Sequence, residues 1–281
     1  MFDVVVRVLA QKMSEVMGQG VVVDNRPGAS TNIGVELVAR AQGDGYTLLS
    51  NSLPLVINPG LFPKLPFDVE KDLAPVSMVV SVPSVIVAHP SLPAKSIKEL
   101  IALAKAKPGS LKYASAGNGT NLHVAAELLK NLAGIDLVHV PYRGGGPALT
   151  AVLGGECELS FLSLNAVLPQ VTAGRLRALA ITSSARSPAA PDMPTVIESG
   201  VPGYEFSGWV GILAPATTPA KTVAAINAYI VKAMRAPGAT ERFAREGAEV
   251  IANSPAEFRA QIKIELARWA KVVKENQLTA D

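Results

Sequence analysis

An α/β fold with helices on both faces of a mostly parallel sheet is what this sequence predicts, and three observations predict it. Short Val- and Ile-rich segments alternate with segments of helical period through most of the chain. Apolar residues make up 49% of the composition, much of it Ala and Val, which suits strands and helices buried on both sides of a sheet. Three strand-to-helix connections, at residues 26–34, 115–120 and 143–147, are rich in glycine, and α/β sheets bind ligands at such connections. At 281 residues the chain is long enough for roughly two domains.

The elements follow in order. An opening helix places Val5, Val8, Leu9, Met13 and Val16 on one side and stops at Gly18. Residues 21–23 are all Val and read as a buried strand. The polar loop 24–34 leads into a helix that Ser30, Thr31 or Asn32 can cap and that ends at Gly43-Asp44-Gly45. Residues 46–50 form the next strand and empty into a loop containing Ser50 and Ser52. The proline-rich stretch 58–72 shows no period and reads as irregular. Residues 77–88 read as strand, interrupted near Pro83.

Ser96 and Glu99 form a capping box for a helix that Pro108-Gly109 ends. The element around which the chain is organised comes next. Its strand ends at Tyr113 and Ala114, Gly117 and Gly119 allow tight turns, and Thr120 is placed to cap a helix with Leu122, Ala125, Ala126, Leu129 and Leu132 on its apolar side. A strand at 137–140, a glycine loop at 141–147 and a helix to Leu153 repeat the unit, with Pro147 expected at the first helical position. A strand at 157–162, a helix at 166–173 and a strand at 177–181 follow. The proline-rich stretch 183–203 reads as loop. A strand at 209–213, helices at 218–234 and 240–246, and a capping box at Ser254 and Glu257 close the chain. That box opens a helix with Phe258, Ile262, Leu266, Trp269 and Val273 on one face.

The chemistry of the loops suggests an anion. The first N–H groups of a helix have no internal partner and lie at the positive end of its dipole, so a carboxylate or phosphate there is favoured. Ser115, Asn118 and Thr120 add side-chain donors, and Arg143 can pair with an anion or remain a solvated charge. Tyr142 is a candidate wall. A plain strand–helix connection with nothing bound has the same appearance, so the reading rests on several such loops occurring together.

Other classes lack their parts. No run reaches the roughly 18 apolar residues of a membrane span. The net charge of +3 is scattered without a cluster, which argues against nucleic acid. Cys157 is the single cysteine, so no internal disulfide or thiolate-rich metal site can form. A nucleophile elbow would need glycine two residues before Ser115, where Tyr113 stands. The glycine loops lack the Gly-Lys-Ser/Thr of a phosphate loop and the third glycine of a dinucleotide fingerprint. His123 and Glu127 have helical metal-ligand spacing, but two ligands alone more often make a structural hydrogen-bonding pair. His89 and His139 read as structural. No cofactor is expected.

With these residues on the page, the chain resembles the Bug family of bacterial periplasmic solute-binding proteins, the receptors of tripartite tricarboxylate transporters. The resemblance is carried by residues 21–29 (VVVDNRPGA), 32–34 (NIG), 44–48 (DGYTL), 113–123 (YASAGNGTNLH) and 140–144 (VPYRG). Residues 153–156 (LGGE), 173–180 (AGRLRALA) and 198–204 (ESGVPGY), with Trp209 and Gly211, complete it. It implies a two-domain periplasmic binding protein of the type II-like kind. Residues 1–105 and 208–281 would form one domain, residues 106–207 the other, with a carboxylate in the cleft between them. Mapped here, the ligand-binding residues would be Ser30, Asn32, Ser50 and Ser52 from the first domain. Ser115, Ala116, Asn118, Gly119, Thr120, His123, Tyr142, Arg143, Gly144 and Ser163 would come from the second. The implied partners are a small carboxylate and the membrane components of the transporter, for a monomeric, non-enzymatic protein in the periplasm.

Two departures qualify the resemblance. Family members usually carry a signal peptide, a strand and a Pro-Gly-Gly loop before the helix that opens this chain. The expectation is therefore a misassigned start or a truncated product, which the upstream DNA would reveal. Related chains also often carry Asp-Asn where Leu162-Ser163 stand, so a carboxylate without an amino group is expected. An enzyme acting on small carboxylates and a cytoplasmic carboxylate sensor are the rival readings.

Overall fold

The computed structural model describes residues 2–236, 238–245 and 248–275. In chain order the elements are α1 (Phe2–Met17), α2 (Asn32–Ala39), β1 (Leu49–Asn51), α3 (Pro54–Leu61), α4 (Val69–Asp72) and the long β2 (Leu73–Ala88). Then come α5 (Ile97–Ala106), β3 (Lys112–Ser115), α6 (Asn121–Ala133), β4 (Val138–Pro141), α7 (Gly145–Leu153), β5 (Leu159–Ser163), α8 (Leu164–Thr172) and β6 (Arg177–Ile181). The chain continues with β7 (Ser207–Pro215), α9 (Ala220–Met234), α10 (Ala239–Arg245), β8 (Glu249–Val250) and α11 (Pro255–Glu275). They divide into two compact units, one formed by residues up to Ser81 and from Trp209 on, the other by Val82–Gly208.

In the first unit β1 pairs antiparallel with β7, β7 lies beside β2, and β8 pairs antiparallel with β2 at Val80 and Ser81. α1 buries Val5, Val8, Leu9 and Met13 and packs on α9, while α11 packs on α3 and buries Phe258, Ile262, Trp269 and Val273. The capping box at Ser254 and Glu257 forms in full, whereas at Ser96 the Glu99 carboxylate accepts from Lys95 N at 2.7 Å instead of reaching back to Ser96 N. Glu99 N donates to Ser96 Oγ, and Glu257 N donates to Ser254 Oγ at 3.3 Å while Glu257 Oε2 accepts from Ser254 N at 2.8 Å.

In the second unit β5, β3 and β4 are parallel neighbours, with Tyr113 opposite both Leu159 and His139. The 84–88 portion of β2 pairs antiparallel with β5 on one side and β6 on the other. The α/β class is therefore as expected, with a sheet that is parallel at its β5-β3-β4 portion and antiparallel where β2 and β7 take part. α7 and α8 cover it through Ala148, Ala151, Val152, Leu164 and Val167.

Several local expectations are corrected. Residues 21–23 belong to no strand, and Val22 is 88% exposed. The strand expected at 46–50 is Leu49–Asn51, with Tyr46 exposed. The stretch 58–72 contains the end of α3 and all of α4. Pro54 at the start of α3 forgoes an N–H that the first turn does not use, and buried Leu55, Val56 and Ile57 hold the helix despite Pro59. Pro83 does not interrupt β2, because it falls between the residues that pair with β8 and those that pair with β5 and β6. Pro147 sits at the third position of α7, where its missing N–H is still one without an intrahelical acceptor.

The division between units also differs from the one expected near residue 105. It falls within β2, and α5 belongs to the second unit. The segment joining β2 to α5 is fastened there by Arg177, whose Nη1 donates to the carbonyls of Leu92 and Ala94 at 2.9 and 3.0 Å.

Candidate functional site

Because β5, β3 and β4 run parallel side by side, their carboxyl ends share one edge of the second unit's sheet. Each leads directly into a helix: β3 into α6, β4 into α7, β5 into α8. None of these three helices is capped by a side chain. Elsewhere Asp68, Ser96 and Ser254 cap α4, α5 and α11. In the first unit α2, α3 and α9 are likewise without a side-chain cap. Thr120 stands at the N-cap of α6 as expected, but its hydroxyl donates to Gly117 O at 2.7 Å and so leaves the first-turn amides alone. Three helix ends, each carrying roughly half a positive charge, thus meet at one sheet edge.

The loops at this edge are joined. Gly144 N donates to Ala116 O at 3.2 Å and Tyr142 N to Ser115 O at 3.0 Å. Gly117 has φ +123, a region L side chains avoid, and a Cβ there would stand 3.5 Å from Tyr142 O. Arg143 is exposed and makes no hydrogen bond or ion pair with a described residue, so its guanidinium is available to an anion. Tyr142 donates to Glu156 Oε2 at 3.1 Å, which turns its hydroxyl toward that carboxylate. Ser163 is the residue before α8, and near it Asn165 Oδ1 is buried without a hydrogen-bond partner.

Beneath the loop lies a buried stack. The His123 and His139 rings are 4.1 Å apart and within 8° of parallel, and Tyr113 stacks on His139 at 4.9 Å. Gly119 N donates to His123 Nδ1 at 3.0 Å. That nitrogen therefore carries a lone pair, and the ring proton sits on Nε2, 3.9 Å from Glu127 Oε1. The same oxygen accepts from Tyr113 Oη at 2.7 Å and Lys130 Nζ at 2.9 Å, so the His123–Glu127 pair is one part of a hydrogen-bonded cluster. Ser115 is fully buried. Its Oγ lies 2.6 Å from His139 Nε2 and accepts from Gly117 N at 3.1 Å. Burial first, and the neighbouring His123 second, push His139 down to about 4. Burial and then Glu127 push the Tyr113 hydroxyl far up.

The first-unit candidates form their own group. Ala29, Ser30 and Thr31 all have positive φ, at 45°, 51° and 76°. Asn58, 2% exposed, holds them: its Nδ2 donates to Ser30 O at 2.7 Å and Asn32 Oδ1 at 2.8 Å. Asn51 Nδ2 donates to Thr31 Oγ1 at 3.3 Å, and Asn51 Oδ1 accepts from Ser52 N at 2.7 Å. Ser50 Oγ is buried without a partner. Sequence reasoning missed Asn51, Asn58 and the part played by His139. Asn58 lay in a stretch read as irregular, and His139 looked like a strand residue with no neighbour to serve.

Strands that deliver bare helix ends and donor-bearing loops to one sheet edge are how an α/β protein presents a site to a small ligand. The model of the tripartite tricarboxylate transporter family receptor matches residues 5–278, and the chain belongs to this family. It is 41% identical over 275 residues to protein BugT of Bordetella pertussis, covering 97% of this chain and 84% of that one. A solved structure of Rpa4515 from R. palustris with adipate aligns with TM-score 0.82 and 33% identity over 99% of this chain and 93% of that one. MatC from Rhodopseudomonas palustris with bound malate aligns with TM-score 0.79 and 31% identity over 97% and 94%. The structure of periplasmic binding protein BugD also aligns, with TM-score 0.80 and 33% identity over 100% of this chain and 94% of that one.

Proposed function

We propose that this protein captures a small dicarboxylate in the periplasm and hands it, chemically unchanged, to the membrane components of a tripartite transporter. The observation that carries the reading is the meeting of the uncapped α6, α7 and α8 at one sheet edge beside the unpartnered Arg143. Helix ends and a guanidinium bind carboxylates through fixed N–H groups, with no bond made or broken. The adipate and malate seen in the two related structures support a dicarboxylate. The apolar Leu162 that precedes Ser163 supports a ligand without an ammonium group, because no acidic side chain stands there to receive one.

Thermal-shift and calorimetric titration with adipate, malate, succinate, citrate, aspartate and glutamate tests this. A ligand that binds only the folded chain raises its melting temperature by mass action. The expected result is saturable binding of a dicarboxylate, weaker binding of the amino acids, and recovery of the ligand intact. Turnover of the ligand, or preference for aspartate or glutamate, would overturn the reading.

A further inference from the structure

The organising loop is tied at two points to ring nitrogens beneath it. Ser115 Oγ lies against His139 Nε2 at 2.6 Å, and Gly119 N donates to His123 Nδ1 at 3.0 Å. The second tie exists only while His123 is neutral, because a protonated Nδ1 is a donor and would face the Gly119 donor. We propose that His123 is a positioning residue for the carboxylate loop: its neutral ring latches Gly119 and fixes the turn that aims the first-turn amides of α6, residues 121–123, and a proton on Nδ1 releases that turn.

Charged groups of both signs face the ring. His139 from β4 stacks on it at 4.1 Å and, titrating near 4, is neutral from pH 6 to 8, while Lys130, also on α6, adds positive charge to the cluster. Glu127 opposes that charge, but its Oε1 stands 3.9 Å from Nε2 and is engaged by Tyr113 of β3 and by Lys130. The pH effect runs against simple electrostatics. A cationic histidine near an anion site ordinarily strengthens binding as pH falls; a latch that needs a lone pair weakens it. By linkage, if protonation opposes binding, then binding expels the proton.

The inference rests on the dicarboxylate reading, and the experiment separates the two. Adipate and malate are titrated calorimetrically into the full chain at pH 6, 7 and 8 in buffers of different ionisation enthalpy. The second carboxyl of each dicarboxylate keeps a small fraction of its proton at pH 6, so the ligand's own proton release is measured separately and subtracted throughout. The expected result is net proton release on binding, with affinity falling about two- to fourfold from pH 8 to 6. His123→Asn supplies a carbonyl oxygen that can accept from Gly119 and cannot titrate. It should show neither proton release nor a fall in its own affinity between pH 8 and 6. Proton uptake, binding without proton exchange, or proton release that persists in His123→Asn would each overturn the inference while leaving the receptor reading intact. Absence of dicarboxylate binding by the wild-type chain at every pH would instead defeat that reading.

Discussion

Asn58→Ala should unsettle the loop at residues 28–32 out of proportion to its size. Three consecutive residues there, Ala29, Ser30 and Thr31, sit at positive φ, which costs an L-residue roughly 1–2 kcal/mol each. The Asn58 side chain offsets part of that cost through two hydrogen bonds of 2.7 and 2.8 Å in a site 2% exposed. Each such bond contributes about 0.5–1.5 kcal/mol net, and leaving the buried Asn32 Oδ1 without its donor costs about 1–3. The loop can relax once released, so the expected loss is about 2–4 kcal/mol. In a unit of this size that is a fall in melting temperature of about 5–10 °C. Ala29→Gly removes strain without touching the bonds and should stabilise by about 0.5–1 kcal/mol. In the Asn58→Ala background Ala29→Gly should recover less than it gains in wild type, because the released loop has already shed that strain. Melting curves of the four proteins decide the matter. A loss below about 0.5 kcal/mol for Asn58→Ala, or strict additivity with Ala29→Gly, would refute the reasoning.

Stability should fall as pH drops from about 6.5 toward 4. His139 titrates near 4 in the fold against about 6.5 when unfolded, so in that interval the unfolded chain binds a proton the folded one refuses. Melting temperatures across the range for wild type and His139→Gln should differ in slope, and equal slopes would contradict this. Gly211→Ala should destabilise by about 1–3 kcal/mol, since the new methyl would press into Cζ of the fully buried Phe258. An unchanged melting temperature would show that Phe258 can move aside. Arg143→Gln should weaken dicarboxylate binding roughly tenfold in calorimetry and leave the melting temperature of the unliganded chain within about 1 °C, because the side chain is exposed and unpartnered. Unchanged affinity would remove the arginine from the site.

What was legible in the sequence was local. Ser96 with Glu99, and Ser254 with Glu257, make their bonds three residues apart, so the spacing alone announces the helix starts. The strand, glycine turn and helix at 112–133 were equally readable, since Gly117 and Gly119 are needed where the backbone turns to positive φ. What the tertiary structure decided involves partners far apart in the chain. β2 continues through Pro83 because the residues that pair with β8 end at Ser81 and those that pair with β5 begin at Ser84. Asn58 is a structural anchor because Ser30, 28 residues away, folds onto it. Thr120 looked like a cap and instead bonds Gly117 O, leaving the helix end bare, and only the folded loop settles which acceptor its hydroxyl meets. His139 stacks on His123 and reaches Ser115, 24 residues away, because β4 lies parallel to β3. A bond across a few residues is written in their spacing, whereas a bond across a sheet depends on which strands become neighbours, a choice made by the burial of the whole unit.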